Sequence, residues 1–178
     1  MLIFSPAESP VPLLNLPLHN PSFWALAICA VAALCEGIVS GSGVQARFAE
    51  LRLPKRAPRL WSWSVIGGAY YVLFFFLLRS ILAGPSIPFW TSLTLTLTAV
   101  LLIANASWNW IFFRRKNLWL SVVFFVPYLL LAVTLAGVLH HVRNPLSAWY
   151  ALYIVYLAYA SWWAYRVWQL NCDSSTTR

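Results

Sequence analysis

Five stretches of about twenty mostly apolar residues run in succession along this chain: Pro21 to Ser42, Trp63 to Leu82, Phe89 to Phe113, Leu118 to Leu139 and Leu146 to Leu170. That length is what a helix needs to cross the hydrocarbon core of a bilayer. In lipid an open strand edge leaves backbone groups unpaired, so helices are the expected form. Composition supports this. Of the 178 residues, 61% are hydrophobic and only 9% charged, where a soluble domain carries about a quarter charged residues. The expected fold class is an all-α integral membrane protein, a bundle of five transmembrane helices over residues 21–171. Residues 1–20 hold Pro6, Pro10, Pro12 and Pro17 and no cation. They fit neither a signal peptide nor a helix and are expected to form a flexible tail. Residues 172–178 are expected to be a short polar tail.

Charge sets the orientation. With five spans, the first loop, the third loop and the C-terminus share one side. Arg47, Arg52, Lys55, Arg56, Arg59, Arg114, Arg115, Lys116, Arg166 and Arg178 fall there, ten of the twelve cations. Only Arg79 and Arg143 fall on the other. The positive-inside rule places the N-terminus outside and the C-terminus in the cytoplasm. The net charge of +8 is then matched by anionic lipid headgroups, and a nucleic-acid partner is not required. Cys29, Cys35 and Cys172 lack metal-ligand spacing and read as free thiols.

The third span ends in NASWNWIFFRRK, residues 105–116. Asn105, Trp108, Asn109 and Phe112 recur at helical spacing and share one face, with Thr94 and Thr98 further back. Lipid cannot satisfy an amide, so this stripe must face the bundle interior. Two readings follow: adhesion between helices, the commoner use of membrane amides, or the wall of a ligand cavity. The fifth span shifts the balance. Trp149, Tyr153, Tyr156, Ala160 and Trp163 fall on one face. An interfacial aromatic belt accounts for Trp149, Tyr150 and Trp168 near the ends, but not for phenols in the middle. Amides facing phenols would line a flat, largely apolar cavity suited to a planar ligand.

The first span carries Ala33, Gly37 and Gly41 at intervals of four, a row that permits close helix approach within one subunit or in a dimer. Glu36 is the only acid inside a span. Such a carboxyl is a functional candidate; the preferred alternative is pairing with a loop arginine near the cytoplasmic end. Segment 44–53 puts Val44, Phe48 and Leu51 on one face, as a short interfacial helix would.

In these residues the chain resembles a divergent member of the TspO/MBR family, the tryptophan-rich sensory or translocator proteins. The third-span pattern falls on Asn105, Trp108, Phe112 and Phe113, the loop prolines on Pro54 and Pro58 with Tyr71 beyond, and the fifth-span pattern on Tyr153, Tyr156 and Ala160. Departures stand at Gly67 and Tyr156, each in place of a family tryptophan, and at Leu101, Leu152 and Ala164. The resemblance implies a five-helix membrane protein, often a homodimer, that binds porphyrins or other tetrapyrroles and, in some members, sterol-like lipids, with no cofactor required. It implies a binding site of Tyr71, Asn105, Trp108, Tyr153, Tyr156 and Ala160 under a loop lid at Pro54 and Pro58. Three functions stay open: a receptor, sensor or carrier; a photo-oxidative porphyrin-degrading enzyme; and a scaffold without a pocket. The resemblance implies a bacterial cell membrane, or a mitochondrial or other organelle membrane in a eukaryote. No conventional catalytic set or metal site is legible.

Overall fold

The computed structural model describes residues 20–84 and 88–172. Most of the expected N-terminal tail, and the C-terminal tail past Cys172, lie outside them. The described elements are all helical: α1 (Pro21–Ser40), α2 (Val44–Glu50), α3 (Leu60–Ala83), α4 (Pro88–Asn109) running into a π-helical turn (Trp110–Arg114), α5 (Leu118–Val123), α6 (Phe125–His141) and α7 (Ser147–Cys172). Four of these runs, with α5 and α6 taken together, are long and apolar enough to cross a membrane. The fifth, α7, is as long at 26 residues; its many tyrosines and tryptophans make it less apolar.

Local chemistry sets the boundaries. Asn20 caps α1 by accepting from the Ser22 N–H at 2.9 Å, with Pro21 in the first turn. Gly41 ends α1 at φ 73°, a conformation only glycine adopts freely, and turns the chain into α2. The break between α5 and α6 at Phe124 follows from Pro127, which offers no N–H to the Val123 carbonyl and whose ring crowds it. Asn117 caps α5 by accepting from the Leu120 N–H at 2.8 Å.

The long helices form a ring. α1 lies between α3 and α4, α6 between α4 and α7, and α7 closes the ring against α3. One face of α7 supplies much of the core: Tyr150, Tyr153, Leu157, Ala160, Trp163, Ala164 and Val167 are buried at helical intervals. Its outer face shows Trp149, Leu152, Val155, Tyr159, Trp162 and Tyr165, apolar surface that lipid solvates. Tyr150 therefore belongs to the core and not to an interfacial belt. Trp149 is 63% exposed and leaves the inward face.

Two loops and a helix end meet at one end of the bundle. The Arg47 guanidinium donates to the Lys116 carbonyl at 3.3 Å, and the Asn171 side chain exchanges two 3.0 Å bonds with the backbone N–H and C=O of Arg52. These contacts gather the first loop, the third loop and the end of α7 on the same side, as five successive spans require. At the other end Asn144 donates to Ser80 at 3.0 Å, and the Trp90 and His141 rings lie 4.5 Å apart.

Candidate functional site

A cavity of about 420 Å³ opens inside the ring under α2. Small residues make its room. Ala33 and Gly37 of α1, Gly67 and Gly68 of α3 and Ala160 of α7 line it. A Cβ added at Gly37, Gly67 or Gly68 would meet nothing within 4 Å. The row at Ala33 and Gly37 thus leaves space inside this subunit where close helix contact was one expectation. Gly67 carries no side chain, which widens the hollow further.

Aromatic rings wall the end beneath α2. Trp108 stacks on Phe112 at 5.1 Å and 15°, and Trp163 packs on Trp63 at 4.8 Å and on Phe112 at 5.6 Å. Phe48 of α2 drops onto Phe113 at 6.0 Å and Trp163 at 6.1 Å. The π-helical turn helps here. Its wider ladder, with the Arg115 N–H bonded to the Trp110 carbonyl at 2.9 Å, places both Phe112 and Phe113 against their partners. Such turns are enriched at functional sites.

Polar groups converge on one carboxyl. Glu36 Oε2 accepts from the Tyr71 hydroxyl at 2.6 Å and from Asn105 Nδ2 at 2.7 Å; Oε1 accepts from Asn109 Nδ2 at 2.9 Å. Asn109 Nδ2 also donates to the Asn105 carbonyl at 3.0 Å. Tyr128 donates to Asn105 Oδ1 at 3.3 Å and shares a 2.8 Å bond with Tyr153. One network therefore ties together α1, α3, α4, α6 and α7. This overturns the preferred expectation for Glu36. Its partners are neutral groups within the bundle, not a loop arginine, because its side of α1 faces α3 and α4. The ion pairs among the described residues are both at Glu50, with Arg47 at 3.4 Å and Lys116 at 3.3 Å. Lys116, then Arg47, holds the exposed Glu50 carboxyl below the usual range.

Of the residues expected at the site, Tyr71, Asn105, Trp108, Tyr156 and Ala160 line the cavity. Tyr153 does not. It is buried among Tyr70, Phe74 and Tyr150 and reaches the network only through Tyr128. Pro54 and Pro58 are also absent from the wall. They keep the segment between α2 and α3 out of helix, while Val44 and Phe48 of α2, with Leu60, form the rim. Thr94 and Thr98 are buried but bond back to the carbonyls of Trp90 and Thr94 at 2.7 Å, so they hold no neighbouring helix. Sequence reasoning left Tyr128, Trp63 and the paired glycines out of the site. Tyr128 carried one usable signal, a phenol placed directly after a span-breaking proline.

The cavity wall combines stacking surfaces with one acceptor cluster, and two indole N–H groups, of Trp63 and Trp163, are buried without a protein partner. It can hold a flat molecule and orient it. A family model described as the TspO/MBR family matches residues 25–169. No curated protein and no solved structure matches. The matched segment reaches all five long helices and contains every residue of the cavity wall: the chain belongs to the TspO/MBR family.

Proposed function

We infer that this membrane protein binds a flat, largely apolar small molecule in the cavity beneath α2 and acts as a receptor, sensor or carrier for it. The observation that carries this reading is the wall itself: rings of Trp63, Trp108, Phe112 and Trp163 beside a few directed polar groups, the combination that recognises planar ligands. Tetrapyrroles are the class the family resemblance favours, with sterol-like lipids as the alternative. A tetrapyrrole carboxylate would find donors in the indole N–H groups of Trp63 and Trp163. Photo-oxidation is a second reading, because Trp108 would put an indole against a bound porphyrin.

Titrating protoporphyrin into the protein in nanodiscs, with tryptophan fluorescence as readout, tests binding. Saturable quenching is expected; its absence removes tetrapyrroles as the ligand class. Following porphyrin absorbance in light and in darkness then separates holding from photochemistry. The cation asymmetry supports an N-terminus outside and a cytoplasmic cation-rich end. A cysteine introduced at Ala49 should label only from the cytoplasmic side, and labelling from outside alone would reverse the orientation.

A further inference from the structure

The geometry points to a ligand that carries a protonated nitrogen, with Glu36 as its counter-ion in the cavity. This rests on the binding reading above and narrows its ligand class.

The three side chains that touch Glu36 all act as donors. Asn109 fixes this most firmly: its Nδ2 also faces the Asn105 carbonyl, an acceptor, so the amide cannot turn its oxygen that way. The Tyr71 contact at 2.6 Å has the length of a hydroxyl bonded to a carboxylate. A carboxyl ringed by donors is arranged as an anion. Yet no lysine, arginine or histidine is among the residues of the cavity wall, and among the described residues no ion pair reaches Glu36.

A half-buried anion held only by neutral donors lacks its compensating charge, and the apolar surroundings make that deficit costly. A cation entering the cavity supplies it. The carboxylate is exposed to the cavity, and the rings near it can face a flat cation, whose charge they also attract. An ammonium or amidinium on an aromatic frame satisfies both parts of the wall. A carboxylate set against Glu36 meets repulsion, so an acidic ligand must turn its carboxylates toward the indole N–H groups of Trp63 and Trp163 instead.

The test uses flat probes of similar size in zwitterionic nanodiscs at neutral pH: 9-aminoacridine as cation, acridine as its neutral counterpart, and 9-acridinecarboxylate as anion. Affinity is read by tryptophan quenching. The wild-type protein should bind the cation at least about tenfold more tightly than the neutral probe, the size of a charge-assisted hydrogen bond, and the anion weakest. In Glu36→Gln the preference for the cation over acridine should vanish; the ratio of the two affinities is the readout, because the amide also sets a donor against Tyr71 and Asn105 or against Asn109 and changes the wall for both probes. Glu36→Asp keeps the charge and should retain part of the preference. If all three probes bind alike, or the cation preference survives in Glu36→Gln, the counter-ion role is wrong while the cavity remains a binding site. If no flat probe binds the folded wild-type protein, the binding reading itself falls and takes this inference with it.

Discussion

Two hollows lie beside α1, and they differ in more than size. The cavity inside the ring measures about 420 Å³ and collects Glu36, Tyr71, Asn105 and Asn109 among its aromatic walls. The groove between α1 and α4 measures about 740 Å³ and is lined by residues such as Ile28, Val31, Leu102 and Ile103, with Ser107 as its hydroxyl-bearing residue. That hydroxyl is bonded back to the Ile103 carbonyl at 2.8 Å. The larger hollow therefore offers almost nothing directional. In a bilayer an apolar groove is solvated by acyl chains as well as by any ligand, so volume alone does not mark a site. Buried polar groups do, because they cost free energy unless a structure or a ligand satisfies them.

The sharpest way to break this contrast is to remove the carboxyl. Glu36→Leu leaves the donors of Tyr71, Asn105 and Asn109 without their acceptor and should destabilise the fold by about 3 kcal/mol, read as a fall in melting temperature in detergent. A groove substitution of similar bulk, Val31→Leu, should stay within about 0.5 kcal/mol. Equal effects would mean that the network does not hold the helices. Asn105→Leu removes one link and should cost about 0.5–2 kcal/mol. Because Asn105 bridges Glu36 and Tyr128, its effect should shrink when measured in a Glu36→Leu background; strict additivity would show that the two side chains act apart.

The spans were legible in the sequence because lipid imposes a simple rule on length. Each expected span agrees with a helix or helix pair to within a few residues. Much of the wall was legible too. Asn105, Trp108, Asn109 and Phe112 share a face by helical arithmetic, and all four line the cavity. What periodicity could not supply was depth. Tyr153 and Tyr156 differ by one turn, yet one is packed in the core and the other borders the cavity, a difference set by the neighbouring helices. Partnership was equally hidden. Glu36 was conspicuous as a lone acid, but its partners lie 35, 69 and 73 residues away in sequence, beyond any local pattern. Empty space was hidden as well: a glycine row reads as close packing or as a hollow until its surroundings are fixed.

A smaller effect concerns the ring of aromatics. Trp108 donates its indole N–H to the Ser121 carbonyl at 3.2 Å, so Trp108→Phe loses that bond together with part of its stacking surface. Porphyrin affinity should weaken by about 1 kcal/mol, and light-driven loss of porphyrin absorbance should largely vanish if the indole is the redox partner. Retained photochemistry in this variant would remove Trp108 from that role.

The smallest effect lies outside both hollows, at the exposed latch between α2 and the third loop. Lys116 and Arg47 lower the Glu50 carboxyl pKa. A lowered folded-state value stabilises the fold above the ordinary carboxylate range, and that contribution disappears as pH falls through the lowered value. The wild-type protein should therefore melt slightly above Glu50→Gln at neutral pH, and the two should converge in acid. A gap that widens in acid would contradict the latch.

The proposed binding site is the cavity and not the groove. Gly67→Phe projects a ring into open space within the cavity, and Ser107→Phe does the same in the groove; both leave the Glu36 network in place. Protoporphyrin titrations by tryptophan quenching, on variants shown to be folded by circular dichroism, compare them directly. Gly67→Phe should lose most of its affinity, by about tenfold or more, while Ser107→Phe should bind as the wild-type protein does. Loss of binding in Ser107→Phe with normal binding in Gly67→Phe would place the ligand in the groove and overturn the cavity assignment.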